Sequence, residues 1–293
     1  MGALSWLTEP YHSAFMRHAA MVAVLVGVLA PTVGVWVVLR RLAYLGDAMS
    51  HGTLAGVAGA YLIGASITVG ALAAGVTMGL LVAVLPRQRR VSEDSAIGVV
   101  ETLMFASGVI LVSRNDSIGV DLTHFLFGQI VTATRHDLAV NGLLTLVALL
   151  LVGVAFRDLR MTTFDPAHAA QVGIPVGAIG TVLIVLISIT VVVSLSTVGL
   201  LMSVAMLITP AAAARLVTHQ VPTMTVVAVG IGVASALGGL TLSYHFSTPP
   251  GPTIAVVTVG WFALAAGWSA IDNRRSGKPR DETVGRAMAA SEG

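Results

Sequence analysis

Nine stretches of roughly twenty residues, rich in Ala, Val, Leu, Ile and Gly, follow one another through this chain with only short polar breaks between them. About 20 apolar residues is the length that crosses the hydrocarbon core of a bilayer as a helix. Inside lipid, only helices and closed barrels satisfy every backbone N–H and C=O. Charged residues make up 10% of the chain and apolar ones 56%, whereas a soluble domain carries about a quarter charged residues. Too little polar surface exists to cover a water-soluble globule. The expected fold class is an all-α polytopic membrane protein.

The expected spans are 18–39, 44–64, 66–86, 95–113, 138–156, 176–195, 198–217, 224–244 and 252–271. The stretch 114–137 is too polar for a plain span and reads as an amphipathic or partly inserted loop. With the N-terminus outside and nine alternating spans, Arg40, Arg41, Arg87, Arg89, Arg90, Arg157, Arg160, Arg215 and the five basic residues of the C-terminal tail fall inside. Only Arg17, Arg114 and Arg135 fall outside. The excess of Lys and Arg on one side favours the N-out, C-in arrangement. It also explains the net charge of +2 without any call for nucleic acid. Residues 1–271 are expected to form one transmembrane domain, and 272–293 a solvated, disordered cytosolic tail.

Chemistry is constrained by what is missing. No cysteine is present, which removes disulfides, thiolate metal sites and cysteine nucleophiles together. No G-x-x-x-x-G-K-[ST] occurs, so the chain carries no P-loop of its own. No HExxH and no nucleophile constellation point to an enzyme. The first 20 residues lack the basic start, short apolar core and cleavage site of a removable leader.

Two acids lie within the expected spans, Asp47 and Glu101. An ionised acid at the bilayer centre costs on the order of 2.5–3.5 kcal/mol on insertion scales, and such groups usually face a protein interior or a water-filled cavity. Asp47 and His51 are four residues apart and share a helix face. A carboxylate with a neutral imidazole suits a divalent ion such as zinc, manganese or iron(II), with imidazole tilting the choice slightly toward zinc. Alone they make half a coordination shell. Asp47 could instead orient His51, or Arg40 and Arg41 could neutralise it. Gly52, Gly56 and Gly59 on the same segment are a packing stripe. Glu101 could line a pathway, accept a proton, or hydrogen-bond a neighbouring helix. His245 precedes a turn stiffened by Pro249, Pro250 and Pro252, either near an outer entrance or as an ordinary interfacial histidine. Pro210 is expected to kink the seventh span.

One cytosolic loop, "FRDLRMTTFDPAHAAQVGIPV" (156–176), has the features of a handle. Asp165 can cap a helix that Pro166 begins; Ala167, Ala169 and Ala170 continue it, and Gly173 can end it. The expected element is a two-turn helix, about 164–174, able to seat in a groove on another protein.

Four blocks, "RRLAYLGDAMSHGTLAGVAGAYL", "FDPAHAAQVGI", "VGLLMSVAMLITPAAAARL" and "GLTLSYHFSTPPGPT", occur in order across residues 40 to 252. In these the chain resembles the permease subunits of bacterial ABC importers for zinc, manganese and iron, of the cobalamin/siderophore-type fold. The resemblance implies a multi-pass protein of the bacterial cytoplasmic membrane and a second copy of the same chain. It also implies a separate cytosolic ATPase that uses the ATP and an extracytoplasmic metal-binding protein. No cofactor is held permanently; the metal is cargo. Phe164, Asp165, Pro166, Ala167, Ala170 and Gly173 fall in the ATPase-coupling helix. Asp47 and His51 match the GD-x-x-x-H segment of the translocation path, and His245 a region near the outer gate. Glu101 matches no acid of the pattern. The rival readings are a proton- or sodium-coupled secondary transporter using Asp47 and Glu101, and, within the same fold, a cobalamin or iron-siderophore permease. The latter needs a wider cavity and no metal ligands.

Overall fold

The computed structural model describes residues 9–85, 92–114 and 134–275. Every regular element among them is helical. After a short 3₁₀ turn, Glu9–His12, come α1 (Ala14–Leu39), α2 (Ala43–Leu62), α3 (Ile67–Val84), α4 (Glu93–Ser113), α5 (Arg135–Phe164), α6 (Pro166–Gln171), α7 (Val176–Val198), α8 (Leu200–Val217), α9 (Val221–Phe246) and α10 (Pro250–Arg275). A helix occupies each of the nine expected stretches. By length and composition, seven of them can cross a membrane: α1, α3, α4, α5, α7, α9 and α10. α2 is not among those seven, and α8 qualifies only as a shorter apolar helix.

Burial separates the centre from the rim. In α1, 72% of the apolar window is buried, against 11% in α10. α1 is therefore a central post. Trp36 near its end is fully enclosed and packs edge-on to Phe156 of α5, ring centroids 5.4 Å apart. Exposed apolar side chains such as Val154, Val226 and Trp268 lie on the outer belt, where lipid replaces water as the solvent.

Helices approach closely where glycine removes the side chain. A Cβ on Gly232 would stand 2.5 Å from the Gly27 carbonyl oxygen, which locks α9 to α1. A Cβ on Gly56 would overlap the Gly70 carbonyl, which locks α2 to α3. Of the expected packing stripe, Gly52 also packs, against Met78, while Gly59 meets nothing within 4 Å. Small residues play this part in membrane bundles because lipid offers no hydrophobic drive to bring helices together.

The two ends of the bundle are distinct. At one, the Tyr11 hydroxyl pairs with Thr241 Oγ1 at 2.9 Å and donates to the Leu237 carbonyl. At the other, Arg40 reaches Thr162 and Thr163 of α5, and Arg215 donates to the Val38 carbonyl. α2 and α4 run parallel, since Tyr44 meets the Gly98–Glu101 level, His51 meets Phe105, and Leu54 and Ala55 meet Gly108. α7 passes into α8 through Gly199 alone, at φ 82°, a left-handed turn that glycine makes without strain.

Three boundaries differ from the sequence expectation. α5 continues to Phe164, eight residues past the expected end at 156, because a helix can leave the bilayer while still satisfying its own backbone. Phe164 consequently ends α5 instead of belonging to the short helix, and that helix, α6, is six residues long. α10 extends through Asp272 to Arg275, into the stretch expected to be disordered tail. Most of the 114–137 loop, the tail beyond Arg275, and Arg87, Arg89 and Arg90 lie outside the described residues.

Candidate functional site

α2 has two unlike faces. Leu45, Met49 and Gly52 are buried, and beside them Ser50 donates to the Gly46 carbonyl and approaches Ser203 Oγ of α8 at 3.4 Å. On the opposite face stand Tyr44, Asp47 and His51, at i, i+3 and i+7, which places them in one row. His51 Nε2 lies 4.0 Å from Asp47 Oδ1. Their side chains are 31% and 41% exposed respectively, so both can receive a ligand while half enclosed.

The row faces α4. The His51 ring stands edge-on to Phe105 at 5.7 Å, nearly perpendicular. One turn toward the start of both helices, the Tyr44 side chain reaches the Gly98–Glu101 turn of α4. The open face thus carries, in order, Glu101 with Tyr44, then Asp47, then His51 against Phe105. Oxygen donors come first and the imidazole last. Farther along, a Cβ on Gly108 would stand 2.8 Å from the Ala55 nitrogen, so the two helices close tightly beyond the polar row.

Among the described residues, no group of three or more His, Cys, Asp or Glu side chains gathers around a common point. Among the described residues Asp47 and His51 are thus two potential ligands, an incomplete shell for a transition metal. The arrangement can hold an ion transiently, or complete a shell with ligands from outside the chain. Arg40 and Arg41 do not pair with Asp47: among the described residues its one close basic neighbour is the His51 imidazole. Arg40 instead donates from Nε to Thr163 Oγ1 at 2.9 Å and from Nη2 to Thr162 Oγ1 at 2.6 Å. Partial burial lowers its guanidinium pKa from the ordinary value.

The short helix α6 sits at the Arg40 end. Asp165 Oδ1 accepts from the His168 N–H at 2.8 Å, Pro166 opens the helix, and Gly173 follows it at φ 90°. Asp165, Pro166, Ala167, Ala170 and Gly173 are exposed, as is Phe164, and Ala169 alone is buried. Arg160, Met161, Phe164, Asp165 and His168 outline a shallow surface pocket. At the other end, His245 is in the last turn of α9 with its ring against Tyr244. The following turn is held by left-handed Ser247 and by Ser243 Oγ donating to the Thr248 carbonyl at 2.5 Å. His245 is at the end of the bundle away from Arg40. Pro210 lies inside α8, where Met206 lacks its usual N–H partner. A second internal proline, Pro31 in α1, escaped the sequence reading.

Sequence reasoning missed Tyr44, Phe105 and the Arg40–Thr162–Thr163 link. Tyr44 could have been found by extending the Asp47–His51 face one turn back. The other two join residues from separate helices, and no local pattern announces them.

A helical bundle of this construction, with a polar row on one inner helix and a capped, exposed helix at one end, is that of a membrane transport permease. Residues 12–268 match the family model described as the ABC 3 transport family, and the chain belongs to that family. It is the permease subunit of a metal ABC importer and resides in the bacterial cytoplasmic membrane. It is 41% identical over 251 residues to the manganese transport system membrane protein MntC of Halalkalibacterium halodurans, covering 86% of each chain. With a probable iron transport system membrane protein of Haemophilus influenzae it shares 32% identity, covering 91% of this chain and 98% of the relative. The solved structure of PsaBC from Streptococcus pneumoniae in complex with Fab superposes with a TM-score of 0.81 at 30% identity, covering 90% of this chain and 95% of that one.

Proposed function

We propose that this subunit, paired with a second copy of itself, passes a divalent transition metal into the cell, manganese before iron or zinc. Asp47 and His51 act as transient ligands. The observation that carries the reading is the half-exposed Asp47–His51 pair, 4.0 Å apart on an inner helix otherwise packed by glycine. Two such pairs, one from each copy, would bring the ligands to four. Asp47 is a hard oxygen donor, and oxygen ligands suit manganese better than copper or zinc. The names of several relatives favour manganese, and two others favour iron.

In this reading nine helices cross the membrane with the N-terminus outside. Arg40, Arg160, Arg215 and α6 then lie at the cytosolic end, and His245 lies at the outer end near the entrance. α6 seats in the separate ATPase, whose ATP hydrolysis drives the change of access, and a binding protein delivers the metal from outside. Coordination must be loose, because a transported ion has to leave as well as arrive. The subunit itself makes and breaks no covalent bond.

The test is the metal content of metal-starved cells, measured by elemental mass spectrometry. Cells lacking the gene, cells with it restored, and cells carrying Asp47→Ala with His51→Ala are compared. Recovery of one metal by the intact chain alone supports the reading and names the ion. Equal contents of all three metals in every strain would overturn it in favour of a proton-coupled carrier.

A further inference from the structure

At the Arg40 end, a cavity of about 300 Å³ opens between α2, α3, α4 and α7. That is the lower end of the roughly 300–1,000 Å³ range of small-molecule sites. Leu45, Val82, Ile97 and Ile184 form its wall, and Gly177 and Gly180 its α7 side. Arg40 is the one charged side chain lining it. Its Nε and Nη2 are taken by Thr163 and Thr162. Its Nη1 has no hydrogen-bond partner, and its charge no carboxylate partner, among the described residues. A half-buried cation with a free N–H pair, at the edge of an apolar hole, lacks an anion that brings an apolar body with it.

We propose that this cavity binds one anionic phospholipid, with an acyl chain among Leu45, Val82, Ile97 and Ile184 and the phosphate on Arg40 Nη1. Charge complementarity selects the headgroup and the apolar wall selects the chain. Basic pockets between transmembrane helices on the cytosolic side take anionic headgroups for the same reason. The placement at the inner leaflet rests on the orientation proposed above; the cavity and its cation do not. Because Arg40 also ties the α1–α2 turn to the last turn of α5, the headgroup would sit on the link between the Asp47 helix and α6.

The glycines supply a clean variant. A Cβ at Gly180 meets nothing within 4 Å, so Gly180→Leu projects a side chain into the cavity without displacing backbone. The purified full-length protein, in detergent, is incubated with an equimolar mixture of phosphatidylglycerol and phosphatidylcholine, and bound lipid is read by native mass spectrometry. Wild type should retain phosphatidylglycerol in preference. Gly180→Leu should lose it with an unchanged melting temperature. Arg40→Gln should lower the phosphatidylglycerol preference by about tenfold or more, as expected for one charge-assisted hydrogen bond, and Arg40→Lys should restore part of it. Equal retention by Gly180→Leu, or equal retention of the two lipids by wild type, would overturn the proposal. The readout is lipid mass, so it stands or falls independently of whether the chain moves manganese.

Discussion

The cap on α6 makes the most exacting test of the coupling role. α6 is six residues long, and Asp165 Oδ1 receiving the His168 N–H is its N-terminal side-chain cap. Only Ala169 is buried, so tertiary packing does little to hold the helix once the cap is gone. Replacing an Asp cap by Ala costs typically about 1 kcal/mol, which is roughly a fivefold change in an equilibrium constant. Asp165→Ala should therefore weaken association with the ATPase subunit by about fivefold, with the bundle still folded. Asp165→Asn should behave almost as wild type, because asparagine caps as well as aspartate. The assay is the affinity of the reconstituted permease for its ATPase, measured beside uptake into proteoliposomes. If Asn proves as damaging as Ala, the charge and not the cap is what matters. If Ala has no effect, α6 is not the element that seats in the ATPase.

Three further outcomes follow from the same geometry. Asp47→Ala and His51→Ala, made singly, should each cut metal uptake by more than the roughly 10–100-fold that losing an outer-shell partner costs; single variants that retain full uptake would remove both from the path. Tyr44→Phe removes a hydroxyl at the Gly98–Glu101 level of α4 while keeping the ring, and should slow uptake several-fold at an unchanged melting temperature; a fall in melting temperature alone would make the hydroxyl structural. Gly56→Ala places a methyl against the Gly70 carbonyl and should destabilise the protein by about 1–3 kcal/mol, whereas Gly59→Ala, with open space around it, should change thermal stability little. Reversal of that order would refute the close α2–α3 contact.

How much of this could be read from the chain depended on distance along it. Apolar runs located nine helices, because a bilayer demands length and apolarity together and few other constraints compete. The helix ends were harder. Beyond the lipid, polarity no longer decides between helix and loop, which is why α5 outran its expected end and took in Phe164. The α6 cap was readable, since Asp-Pro is a local signal. The Arg40 bonds to Thr162 and Thr163 span 122 and 123 residues, and nothing within either segment foretells the other. Glu101 illustrates the same limit: its own segment left three roles open, and the Tyr44 it lies near belongs to another helix.

α2 shows why the site and the fold cannot be separated. It carries Asp47 and His51, and it is not among the helices apolar enough to be candidate spans on their own. Such a helix is placed by its neighbours and not by lipid. Gly56 meets the Gly70 backbone of α3, and Gly108 of α4 meets the backbone at Leu54 and Ala55. These close contacts hold α2 against its neighbours and leave the acid and the imidazole partly open. Enlarging Gly56 or Gly108 would push α2 away from its neighbours and turn the polar row, so packing variants far from any ligand should lower uptake along with stability. A glycine change that lowered stability yet left uptake per folded molecule intact would show that the row tolerates rotation, and that the ion is guided by charge more than by geometry.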